Sequence, residues 1–149
     1  MHDHDDAPTL LIVTGSVLDA ERNDRPIAYA LRERINAWTR ERLSSGDAAP
    51  FEVIVCSDLW WLNNEELALC PTISVGAPES NALSAYLGDK LPSAYTIENS
   101  LMVQADLDFR DLLVCCWGRT PAATNAAVQA FEDRYLEHFM LAASERVGA

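Results

Sequence analysis

Four apolar runs punctuate the chain: Thr9 to Thr14 (TLLIVT), Phe51 to Cys56 (FEVIVC), Thr72 to Val75 (TISV) and Asp111 to Cys116 (DLLVCC). Such runs, with little polar alternation, read as strands buried on both faces, as in a parallel sheet covered by helices. Between them the periodicity becomes helical. Ile27, Leu31, Ile35 and Trp38 form one stripe of a helix predicted from Asp24 to about Leu43, with Asp24 as N-cap and Pro26 in the first turn. Gly15 to Asn23 before it reads as a loop, and Ser44 to Pro50 as a linker loop. Ser57 and Asp58 open a further loop. Leu59 to Leu69 follows with Trp60, Trp61 and a short helix-like piece.

The stretch Pro71 to Gly88 (PTISVGAPESNALSAYLG) compresses a strand, a Gly-Ala-Pro break and a helix over Ser80 to Leu87 into one βα unit. Ala94 to Glu98 and Leu101 to Ala105 are β-prone runs separated by Asn99 and Ser100, predicting an antiparallel hairpin at a sheet edge. After the last buried run, Trp117 to Thr120 reads as a turn. Thr120 is placed as N-cap and Pro121 as first residue of a final helix carrying Val128, Phe131, Tyr135, Leu136, Phe139 and Met140 to the core. The predicted architecture is a three-layer α/β sandwich with a mainly parallel sheet, flavodoxin-like or Rossmann-like, and an antiparallel edge hairpin. It occupies residues 8–143, between an acidic leader (residues 1–7) and a frayed tail (residues 144–149).

At 149 residues the chain is one domain by length. The net charge of -12, from 23 acidic and 11 basic residues, repels a phosphate backbone and anionic lipid, so neither nucleic acid nor membrane is expected as a partner. The leader MHDHDDAP is the reverse of a secretory signal, which points to the cytoplasm. His2 and His4 with Asp3, Asp5 and Asp6 are read as part of that leader and not as a metal site. Cys56, Cys70, Cys115 and Cys116 lack the two-residue gap of a zinc or redox motif and are read as reduced, mostly buried thiols.

Parallel strands would bring Gly15, Ser16, Asp58, the Gly76 to Asn81 turn and the Trp117 to Thr120 turn to one rim, where α/β sheets place ligands. Helix N-termini there suit an anion, the glycines allow close approach, and Arg119 can clamp it. The expected ligand-binding set is Gly15, Ser16, Trp60, Trp61, Gly76, Asn81, Trp117, Gly118, Arg119 and Thr120, with Trp60 or Trp61 covering a nucleotide or sugar phosphate. There is no GxGxxG or Walker A pattern, and no particular cofactor is indicated. Asp58 and Glu79 are the carboxylates for an alternative reading, a nucleoside or glycosyl-bond hydrolase or transferase. A third reading is a homo-oligomeric assembly domain joined through the Trp60–Trp61 loop.

Two segments, ISVGAPESNALSAYL and DLLVCCWGRTPAATNAAVQAF, resemble segments of the α/β domains of archaeal S-layer proteins. The resemblance is carried by Val75, Gly76, Pro78, Asn81, Leu83, Leu87, Val114, Gly118, Arg119, Thr124 and Ala127. It implies a related strand-turn-helix scaffold in which Pro78, Asn81 and Thr124 fix turns, and it implies nothing about Asp58 or the tryptophans.

Overall fold

In the computed structural model of the chain, which describes residues 7–148, the four apolar runs become parallel neighbours. They are β1 (Thr9–Thr14), β2 (Glu52–Ser57), β3 (Thr72–Val75) and β6 (Leu113–Gly118). The predicted hairpin forms from β4 (Ser93–Ile97) and β5 (Leu101–Ala105), with β5 antiparallel to β6 and β4 at the edge. The sheet is therefore six-stranded and mixed, in the order β2-β1-β3-β6-β5-β4. Asn99 makes the hairpin turn with φ +62°, a conformation Asn adopts more readily than most residues.

Alternation along the strands divides the core into two layers, as period-2 geometry requires. Leu10, Ile12, Ile73, Val75, Val114 and Cys116 face one side. They pack there against α2 (Arg25–Leu43), α5 (Pro121–Arg134) and α6 (Leu136–Gly148). Leu11, Val13, Cys56 and Cys115 face the other, against Trp61 of α3 (Asp58–Leu62) and Leu83 and Leu87 of α4 (Ala82–Leu87). Helices thus cover both faces and give three layers. No helix among the described residues is long and apolar enough to cross a membrane.

Several boundaries differ from the sequence reading. Gly15 to Asn23 is not all loop: it holds α1 (Leu18–Asn23), whose only buried residue is Ala20, too little to print an apolar stripe. The backbone passes from α1 into α2 through Asp24 in helical geometry (φ -93°, ψ -35°). Asp24 accordingly makes no side-chain cap. Trp117 and Gly118 belong to β6, leaving only Arg119 and Thr120 as the turn. The final helix is two helices, because Tyr135 leaves helical geometry (φ -133°) while its hydroxyl donates to the Ala94 carbonyl of β4 at 3.0 Å. Helix α6 continues to Gly148, through the segment expected to fray. The acidic leader, with His2 and His4, lies outside the described residues except for Ala7.

Candidate functional site

The parallel strands deliver the expected residues to the rim at their C-terminal ends, but most of those residues engage one another. Asp58, 4 % exposed, begins α3 and closes the rim between three segments. Its Oδ1 accepts from the Ser16 hydroxyl and the Leu59 N–H, and its Oδ2 accepts from the Ala82 N–H at 2.7 Å. Both oxygens of this carboxylate are thus engaged by the fold, where it joins β1, α3 and α4. Ser16 is fixed by the same contact.

Asn81, 1 % exposed, is similarly engaged. Its Oδ1 accepts from the Leu83 and Ser84 N–H groups as the N-cap of α4. Its amide donates to the carbonyls of Val13 (3.3 Å) and Val75 (2.9 Å). The side chain's donors and its oxygen are thus all engaged within the protein. Trp61, 6 % exposed, is a core plug whose indole N–H donates to Thr72 Oγ1 at 3.1 Å, and it covers no crevice. Thr120 caps α5 through Ala123 N–H. Thr124 Oγ1 accepts from the Gly118 N–H, tying α5 to the end of β6.

The glycines also serve the packing. A Cβ at Gly15 would lie 1.8 Å from the Ser80 carbonyl oxygen, and one at Gly118 2.4 Å from Ala123. Gly76 combines φ +124° with a Cβ position 2.6 Å from Asp24 Oδ2. These close approaches are to the protein's own atoms.

What remains open at the rim is a crevice of about 110 Å³ between α1, the turn after β3 and the start of α5. Asp19, Asn23, Asp24, Ser80, Arg119 and Thr120 contribute its polar lining. A wider groove of about 370 Å³, lined by Ala77, Glu79, Trp117 and Arg119, adjoins it. Ala77 and Arg119 belong to both, so Arg119 stands between the two spaces. Its side chain is exposed and forms no ion pair with a described residue. Glu79 is exposed on the groove. The Trp117 indole N–H is buried with no hydrogen-bond partner among the described residues.

Of the helix N-termini expected at the rim, that of α4 is closed by Asn81 and Asp58. That of α5 is nearly closed: Pro121 has no N–H, Ala123 bonds to Thr120 Oγ1 and Thr124 to the Thr120 carbonyl. The Ala122 N–H has no partner among the described residues, but Ala122 does not line the rim crevice.

Asp24 is the group that sequence reasoning missed. It is 6 % exposed, lines the crevice, and its carboxylate has no hydrogen-bond or ion-pair partner among the described residues. Loss of hydration pushes its pKa from 3.8 up to about 6. The sequence signal was Asp beside Pro at a helix start, which is ordinarily a cap. Only the preceding α1 reveals that the cap position is already helical.

Comparisons of the chain with protein-family models, curated proteins and solved structures give no match. The cysteines are free. Burial pushes the thiols of Cys56 and Cys115 up to about 11, and raises those of Cys70 and Cys116, so none is a thiolate near neutral pH.

Proposed function

We propose that the chain is a flavodoxin-like or Rossmann-like domain that binds a small anionic molecule in the rim crevice. The order β2-β1-β3 supports this assignment, because it puts a topological switch point at the ends of β1 and β3, beside the crevice. The observation that carries the binding reading is Arg119. It is an exposed guanidinium without an ion-pair partner among the described residues, it lies two residues before α5, and it lines the crevice. It offers a bidentate cation to a carboxylate or phosphate. The crevice has room for such a group and a few further atoms. The base or sugar of a nucleotide or sugar phosphate would lie in the adjoining groove, against Trp117. Asp58, locked by its contacts, gives the hydrolase or transferase reading little support, and Glu79 alone does not make an acid-base pair.

Arg119→Ala is the test. A thermal-shift series with inorganic phosphate, sugar phosphates and nucleotides should raise the melting temperature of the unaltered protein. A ligand at a hundred times its Kd adds about 2.7 kcal/mol. The variant should keep its ligand-free melting temperature, because the side chain is exposed, and lose most of the shift. Equal shifts in the two proteins, or no shift with any anion, would remove the proposal.

A second reading, an assembly domain, has its own observation: Leu59, Trp60 and Leu62 of α3 stand exposed together. If they form an interface, sedimentation will show an oligomer that Trp60→Ala dissociates. A monomeric protein, or an oligomer unchanged by that substitution, ends this reading.

A further inference from the structure

Resting on the anion-binding reading, we propose that the ligand also carries a protonated amino group held by Asp24, so that the crevice takes a small zwitterion of the amino-acid class. A buried carboxylate normally finds donors within the protein, and leaving one without them is costly. Asp24 is 6 % exposed, has no partner among the described residues, and opens onto the same crevice as Arg119. The donor it lacks is one that a ligand can bring.

The charge arrangement points the same way. Asp19 also lines the crevice, so a simple anion would meet two acids and one arginine there. A zwitterion whose ammonium group faces Asp24 and whose carboxylate faces Arg119 satisfies both walls at once. Size agrees with this. About 110 Å³ is the room of a few water molecules, enough for an amino acid with a short side chain. A neutral hydroxyl in place of the amine would give Asp24 a hydrogen bond but leave its charge unbalanced.

Calorimetric titration of the full chain at pH 7.5 tests this with matched probes: glycine and L-serine as zwitterions, glycolate and acetate as anions without the amine, and methylamine as the amine without the anion. Glycine and serine should bind at least tenfold more tightly than glycolate or acetate, with methylamine weakest. Asp24→Asn should bring glycine down to the level of glycolate while leaving the weak anion binding in place. Arg119→Ala should weaken both classes. If glycolate or phosphate binds through Arg119 as tightly as glycine does, the amine inference is overturned and the anion reading stands. If neither anions nor amino acids bind, both fall. The comparison of probes on the unaltered protein decides the point without depending on any variant.

Discussion

Gly15→Ala is expected to cost more than about 3 kcal/mol, above the usual range for one added methyl in a packed interior. The new Cβ would stand 1.8 Å from the carbonyl oxygen of Ser80, a backbone atom that cannot rotate away as a side chain would. Relief would require separating the end of β1 from the turn after β3, and with it the hydrogen bonds of Asp58 and Asn81 that join these segments. Against a total stability of roughly 5–15 kcal/mol for a domain, such a loss leaves little margin. Urea denaturation of the two proteins measures it as a fall in midpoint at constant slope. Gly46 supplies the control. It has φ +80° but open space around it, so Gly46→Ala should cost only the backbone term of about 1 kcal/mol. Equal costs at the two glycines would show that Gly15 is not held by lack of room.

Asp24→Asn is expected to act in the opposite direction and to stabilise the protein at neutral pH. Burial raises the carboxyl pKa from 3.8 in an unfolded chain to about 6 in the folded one, so the folded protein holds this proton more tightly. Protonation then favours folding. That contribution is complete below 3.8 and is lost as pH rises through about 6, where the folded chain acquires a buried, unpaired charge. The difference corresponds to up to about 3 kcal/mol at pH 7.5. Asparagine keeps the side-chain shape and removes the charge. The stability gap between variant and unaltered protein should therefore be widest at pH 7.5 and close toward pH 4. Denaturation at several pH values measures it, and a gap independent of pH would show that Asp24 is not the strained group described. A residue that destabilises its own fold in this way, in a crevice, is what a binding role would retain.

Much of the scaffold was legible in the sequence because continuous apolar strands and strong turn residues leave few alternatives. The four parallel strands, the edge hairpin with Asn99 at its turn, and the core positions Val128, Phe131, Leu136, Phe139 and Met140 all follow from local pattern. Helix α1 was hidden because one buried alanine makes no periodicity, and the break at Tyr135 because it is tied to a hydroxyl contact with distant β4. The site was legible only as a meeting place. That Gly15, Ser16, Asp58, Gly76 and Asn81 would converge follows from parallel strands. That they would pack against and bond one another depends on contacts such as those from Gly15 to Ser80 and from Asn81 to Val13, which no local spacing encodes. Their mutual engagement leaves Arg119, Asp24 and the Trp117 indole N–H as rim groups without partners among the described residues.

The placement of Asn81 bears on the order in which the molecule assembles. Its side chain can take its native position only when the carbonyls of Val13 and Val75, from strands 58 or more residues apart in sequence, are already side by side. Helix α4, with six residues, is far too short to persist alone in water. It is therefore expected to persist only once β1 and β3 have docked. In folding, this part of the rim is expected to follow the pairing of those strands, and in unfolding to be lost when they separate.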